Sequence, residues 1–192
     1  MAGRGSSNLQ IKVTLDGLRP PIWRRLVVAG DATLFHLHLA IQVAMGWENY
    51  HLHCFRIDGV RYGPDDRDGG FDLDDVDESG VSVAEVFSDV DHGSYDYDFG
   101  DGWEHRLLVE KRDVPLAAIG AATCTGGKRA CPPEDCGGIW GYANLLDVLG
   151  DPGHAEREET LEWLGENFDP ETFDPEAVNA RLKLIPIKRS RR

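Results

Sequence analysis

No apolar run in this sequence reaches the roughly 18 residues that a membrane-spanning helix needs, so no transmembrane segment is expected. The opening residues, MAGRGSSN, hold no apolar stretch of the kind that directs secretion, and a cytoplasmic location is the expectation. Cysteine is scarce. Four in 192 residues do not make a disulfide framework. Basic residues are also in short supply, 20 Lys and Arg against 34 Asp and Glu, for a formal net charge of -14. The imbalance is local: 65–101 carries 14 acidic residues and one basic, and 156–176 carries nine and one. Such a surface repels phosphate backbones, which excludes broad nucleic-acid binding. Only the C-terminal run, with Arg181, Lys183, Lys188, Arg189, Arg191 and Arg192, suits nucleic acid or an acidic partner, and a frayed, solvated terminus is the preferred account of it.

What is present reads as one α+β domain over 9–185, with 1–8 and 186–192 as flexible termini. Leu9, Ile11, Val13 and Leu15 alternate with polar residues, as in a half-buried strand. A turn at 17–21 leads to a second run at 22–28, and the two make a hairpin. Arg24 and Arg25 interrupt that run, so one face is expected to meet water. Thr33 can cap a helix whose stripe is Leu34, Leu37, Ile41, Ala44 and Met45, and Gly46 suits the left-handed residue just beyond it. Strands are expected at 51–57 and 60–62, a surface loop at 63–80, and a short helix at 81–87. Tyr95, Tyr97, Phe99, Trp103, His105, Leu107 and Val109 mark a hairpin over 94–112. A three-residue turn at Gly100-Asp101-Gly102 would set Phe99 opposite Trp103 and Tyr97 opposite His105, keeping the apolar residues on one face. Helices fill the last third. One ends at Gly150, and Asp151-Pro152 and Asp174-Pro175 read as helix starts. Leu161, Trp163 and Leu164 would anchor one helix, and Ala177, Val178, Leu182 and Ile185 the last. The architecture expected is a mixed β-sheet with a β-grasp-like hairpin–helix–strand start, packed by the central helix and the C-terminal helices.

Four motifs in order carry a family resemblance: Pro20-Pro21-Ile22-Trp23-Arg24-Arg25; Ala44-Met45-Gly46-Trp47 with His51-Leu52-His53; Tyr97-Asp98-Phe99-Gly100-Asp101-Gly102-Trp103-Glu104-His105; and Cys131-Pro132-Pro133-Glu134-Asp135-Cys136-Gly137-Gly138 with Trp140-Gly141-Tyr142. Together they resemble the Ri-plasmid ORF-three-like family, over nearly the whole chain. The resemblance implies an α+β domain found on plasmids, in transposons and in microbial chromosomes, some of whose members are labelled transposon passenger or resolvase-like proteins. It implies no settled activity. Recombinase chemistry needs a nucleophile among several cations that stabilise a pentavalent phosphate. Tyr95 and Tyr97 sit among aspartates, and Arg24 and Arg25 are expected on opposite faces of a strand, so that chemistry has no evident home.

Three clusters remain for binding. His51 and His53, two apart on an expected strand, would emerge from one face with spacing suited to a metal, or would be hydrogen-bonded at a core boundary beside Phe55 and Ile57. Asp98, Asp101, Glu104 and His105 surround one turn and suit a hydrated divalent ion or a general base, or simply build the turn while Trp103 packs. Cys124, Cys131 and Cys136 have spacing unlike paired zinc knuckles and are expected to be free thiols. Glu134 and Asp135, between prolines and glycines, are held in a rigid loop, where they either cap the helix near Gly141 or wall a cleft. Trp23, Trp47, Trp103 and Trp140 suit either a groove or the core rim. The candidate binding set is therefore His51, His53, Asp98, Asp101, Trp103, His105, Glu134 and Asp135. The first functional expectation is a non-enzymatic interaction module with a protein partner. The alternative is a metal-binding protein or metal-dependent hydrolase using the His/Asp cluster, with a divalent metal as the one admissible cofactor. A DNA recombinase ranks last.

Overall fold

The computed structural model describes residues 7–64, 75–116, 120–165 and 168–185. In chain order the elements are β1 (Leu9–Leu15), β2 (Ile22–Val28), α1 (Leu34–Met45), β3 (His53–Ile57), β4 (Val60–Gly63), β5 (Val76–Asp77), α2 (Val83–Val86), β6 (His92–Tyr97), β7 (Trp103–Arg112), β8 (Ala122–Lys128), α3 (Gly138–Gly150), α4 (Arg157–Leu164) and α5 (Pro175–Leu182). The eight strands form one sheet in the order β5-β4-β3-β6-β7-β1-β2-β8. Every neighbour pair is antiparallel except β4 with β5, so the fold is α+β with a mixed sheet. The hairpin, helix and strand of the start follow one another as the pattern predicts, with β6 and β7 lying between β3 and β1 in the sheet.

Period-2 burial builds the core. Leu9, Ile11, Val13 and Leu15 of β1 share a buried face with Ile22 and Leu26 of β2, Phe55 and Ile57 of β3, Tyr95 and Tyr97 of β6, and Trp103, Leu107 and Val109 of β7. α1 packs on β2, β8 and α5. Its last carbonyls find partners: Gly46, in the left-handed conformation at φ 95°, donates its N–H to the Gln42 carbonyl. Arg24 lies on the buried face of β2 instead of meeting water. Its Nε donates to the Ala44 carbonyl at 2.7 Å, and Nη1 to the Trp23 and Lys128 carbonyls, while its guanidinium lies over the Phe173 ring. Satisfied donors and a ring face make this burial tolerable, although desolvation still lowers the Arg24 pKa. Arg25, on the other face, pairs with Glu110.

Several sequence expectations need correction. The β6–β7 register pairs Tyr97 with Trp103 and Tyr95 with His105. It is displaced by two residues from the three-residue turn, so Tyr97 and Trp103 still share a face but Phe99 is half-exposed on the loop. The cause is Asp98. At φ 54° its carbonyl accepts from Gly102 N–H, and its Oδ1 accepts from Gly100 N–H at 3.0 Å and Asp101 N–H at 3.3 Å, closing a wider loop. Asp151 ends α3, and its side chain accepts from Gly153 N–H in a turn, so Asp151-Pro152 does not start a helix. Asp174 does start one, accepting from the Glu176 and Ala177 N–H groups. No residue of α4 is fully buried: Leu164 packs, partly buried, against the core, while Trp163 is exposed, and so is Ala177 of α5. Ser7 and Asn8, expected in the loose terminus, are tied in: Ser7 Oγ accepts from Asp113 N–H, and Asn8 bonds Val114 and Gly30. The other terminal residues, and most of the loop expected at 63–80, fall outside the described residues.

The register decides where function can sit. β3 begins where β6 ends, β7 begins across from β6, and β8 ends beside the start of β2. The 46–52, 98–102 and 129–137 connections therefore meet at one end of the sheet.

Candidate metal centre

The 47–52 connection is fastened along its length. Trp47 N–H donates to the Gln42 carbonyl, and its indole Nε1 donates to the Pro132 carbonyl at 2.9 Å. Glu48 N–H donates to Glu134 Oε1 at 2.7 Å, Asn49 N–H to Gln42 Oε1, and Tyr50 N–H to the Tyr97 hydroxyl. Asp98 N–H donates to the Leu52 carbonyl at 2.9 Å. The His51 ring is left over from this fastening. Its Nε2 is shielded from solvent and, among the described residues, makes no well-directed hydrogen bond.

Carboxylates surround that nitrogen. Asp135 Oδ1 lies 3.1 Å away, Asp98 Oδ2 3.6 Å and Glu134 Oε2 3.8 Å. One ligand atom from each of His51, Asp98 and Asp135 falls within 4.8 Å of the others. Donors bound to one cation at about 2.0–2.4 Å stand about 3–4.5 Å apart, so the spacing fits a shared ion. Each carboxylate is held by its own scaffold. Asp98 is buried with one oxygen committed to the loop amides. The Tyr97 hydroxyl donates to Glu134 at 3.0 Å, and burial, then the Glu134 carboxylate, raise the Tyr97 pKa and keep that proton in place. Asp135 is exposed, at φ 56°, and leaves the cluster open to water on its side. Beneath lies an aromatic stack: Trp47 on Tyr97 at 4.9 Å and on Trp103 at 6.1 Å.

Of the eight candidate residues, the structure gathers His51, Asp98, Glu134 and Asp135. Asp101 stands beside them in a supporting role: its Oδ2 accepts from Gly137 N–H at 3.1 Å, at the start of α3. Asp135 does not make the helix cap that was one of its two expected roles; α3 has no side-chain cap from its N-cap residue, Gly137. Three residues lie elsewhere. His53 is buried, its Nε2 2.9 Å from a Glu78 oxygen and its ring stacked on His38 at 3.5 Å. It does not share a face with His51, because β3 begins at His53 and His51 lies in the bend before it. His105 is fully buried under the sheet, with Nδ1 3.1 Å from the Tyr95 carbonyl, and burial lowers its pKa to about 4. Trp103 is core. The remaining indoles divide: Trp47 is buried, Trp23 is half-buried beneath Lys12 and Arg25, and Trp140 is exposed. Burial pushes the Cys131 and Cys136 thiols up to about 12, and among the described residues no cysteine joins a three-ligand group.

Sequence reasoning named Trp47 only as a groove or core-rim residue, and missed the others that hold the site: Tyr97 and Glu48, and the buried His38, Gln42 and Tyr95 with Asn49 behind them. Trp47 and Tyr97 stand in the motifs, which was a usable signal. No spacing in the sequence links Gln42 or Asn49 to Tyr95.

Fold and site define an α+β domain with a candidate divalent-cation centre at one end of a mainly antiparallel sheet. The chain belongs to the plasmid pRiA4b ORF-3-like protein family, whose model matches residues 7–177. It is 39% identical over 176 residues to the uncharacterized protein y4hQ of Sinorhizobium fredii (strain NBRC 101917 / NGR234), covering 91% of this chain and 87% of that one. It is also similar to the crystal structure of a protein of unknown function, MM3350 from Methanosarcina mazei Go1. That match has a TM-score of 0.78 and 39% identity, over 88% of this chain and 96% of the other. Among the described residues, no helix is long and apolar enough to cross a membrane.

Proposed function

We propose that the protein binds a divalent cation through His51, Asp98, Glu134 and Asp135. The observation that carries this reading is His51 Nε2: shielded, without a directed hydrogen bond among the described residues, and ringed by carboxylate oxygens at 3.1, 3.6 and 3.8 Å. One nitrogen and three oxygens suit manganese, iron or zinc better than a thiol-seeking ion. Three carboxylates would otherwise repel one another, and a cation relieves that repulsion. A cation open to water through the Asp135 side would polarise an oxygen ligand and acidify a bound water, which is why hydrolysis is the reaction class to assay. The competing account is a protonated His51 acting alone as counter-ion.

Elemental analysis of purified protein and calorimetric titration of the metal-free chain with Mn2+ and Zn2+ separate the two. A stoichiometric ion, lost in His51→Ala, supports the centre. A chain that takes up neither ion, while His51 titrates as an imidazolium in NMR, removes it. The interaction-module reading keeps one specific support: Tyr50 is 73% exposed and Phe99 50%, and these are the chain neighbours of His51 and Asp98. Aromatic side chains beside a polar centre suit a bound partner. Tyr50→Ala with Phe99→Ala should abolish capture of any such partner while leaving cation uptake intact.

A further inference from the structure

Behind the candidate centre, four polar side chains close a ring. Asn49 N–H donates to Gln42 Oε1 at 3.2 Å. Gln42 Nε2 donates to the Tyr95 hydroxyl at 2.9 Å. That hydroxyl stands 2.8 Å from His38 Nδ1, and His38 Nε2 stands 2.8 Å from Asn49 Oδ1. His38, Gln42 and Tyr95 are buried; Asn49 reaches in from the exposed loop.

One fixed donor sets the direction of every bond. A backbone N–H can only donate, so Gln42 must turn its oxygen to Asn49 and its NH2 to Tyr95. The Tyr95 hydroxyl, already accepting, must give its single proton to His38 Nδ1. His38 therefore carries its own proton on Nε2 and gives it to the Asn49 oxygen. Reversing the Asn49 amide would set two donors against the Tyr95 hydroxyl and leave its proton without an acceptor in the ring. Asn49 itself is left-handed at φ 60°, a conformation Asn tolerates.

We infer that His38, Gln42, Tyr95 and Asn49 are positioning residues that lock the 47–52 loop to the core and so aim the His51 ring into the carboxylate cluster. The inference takes its functional meaning from the cation reading. Its geometry stands apart from it. The ring joins helix α1 and strand β6, both anchored in the core, to a loop residue two positions from His51. The stack of His38 on His53, at an interplanar angle of 4°, and the grip of Glu78 on His53 hold the His38 plane. Burial, assisted by His53, lowers the His38 pKa to about 3, in keeping with a neutral ring.

Two variants open the ring at opposite ends. Tyr95→Phe leaves the loop sequence untouched, and Asn49→Gly keeps the left-handed backbone while removing the acceptor of His38. Both should speed hydrogen exchange at the amides of residues 48–50 and weaken Mn2+ binding about tenfold at a temperature well below melting. Asn49→Asp, which keeps an acceptor, should restore the exchange protection. In the parent protein, 15N NMR should find the His38 proton on Nε2. Unchanged loop exchange in Tyr95→Phe, or a proton on His38 Nδ1, would overturn the inference. So would a lowered melting temperature with loop exchange and Mn2+ affinity untouched, since the ring would then be structural only. If the parent binds no Mn2+, the cation reading falls, and the tautomer and exchange measurements decide the ring by themselves.

Discussion

Acidification to about pH 5 should destabilise this protein well before its carboxylates are protonated. His38 and His105 are buried, and burial holds their pKa values at about 3 and about 4, below the ordinary 6.5. The unfolded chain takes up these two protons as the pH falls through about 6.5, while the native state refuses them until its own lower values. The stability contributed by the neutral rings is thus complete above about pH 6.5 and drains away below it. At about pH 5 each ring costs about 2 kcal/mol, so the pair removes about 4 kcal/mol. Total stabilities are about 5–15 kcal/mol, so this is a large share. The physical reason is specific at each ring. Protonating His38 would put a second donor on the Tyr95 hydroxyl, which already accepts from Gln42. Protonating His105 would place an N–H at Nε2, where none of the described residues offers a partner, with the Trp47 ring 5.3 Å away. Urea melts followed by tryptophan fluorescence at half-unit steps between pH 7 and pH 5 measure the slope. His105→Asn retains a donor for the Tyr95 carbonyl and should lower stability overall while roughly halving the pH dependence. A stability constant within about 1 kcal/mol over that range, or NMR titration of both rings near 6.5 in the folded protein, would refute the reasoning.

At the other extreme, burial raises the pKa values of the Cys131 and Cys136 thiols and of Tyr95, Tyr97 and Tyr142, so stability should hold up to about pH 8.5 and fall above it as the unfolded thiols, then the unfolded tyrosines, ionise first; alkaline urea melts under reducing conditions check this. The double variant Glu134→Gln, Asp135→Asn should fold normally yet lose most Mn2+ or Zn2+ affinity by calorimetry, and unaltered affinity would assign the loop to architecture. Gly46→Val should lower the melting temperature by about 2–8 °C with Glu158→Ala near zero, because a Cβ at Gly46 meets no atom of the described residues within 4 Å and the cost is backbone strain. Gly138→Ala should cost more than Gly46→Val, since φ +67° adds strain to a Cβ placed 2.5 Å from the Asp101 carbonyl oxygen; the order of the two melting temperatures tests it.

Local patterns were legible where one chain segment contains the whole signal. The β1–β2 hairpin, the α1 boundaries with Thr33 and Gly46, and the Asp174 cap follow from alternation, helical spacing and capping chemistry. The β6–β7 register was not legible. Shifting by two residues keeps every side chain on its face, so the alternation that selects a face cannot choose between the registers. The hydrogen bonds of the Asp98 loop chose. Arg24 escaped for a related reason: a charge in an alternating strand reads as solvent-facing until carbonyls from α1 and β8 are seen to receive it.

The candidate site divides the same way. Residue chemistry alone marked His51, Asp98, Glu134 and Asp135, because imidazole and carboxylate beside turns are the side chains that hold cations, and the prolines and glycines around Glu134 imply a loop held in shape. It marked His53, Asp101, Trp103 and His105 equally, since neighbours in sequence look alike. Which of them converge was decided by where three connections meet at one end of the sheet, and by strand phase, which turns His53 and His105 into the core and leaves His51 outside β3. Sequence determines the local conformations and the available ligands. The meeting of ligands from positions 51, 98 and 134–135 depends on long-range strand pairing, which no local pattern encodes.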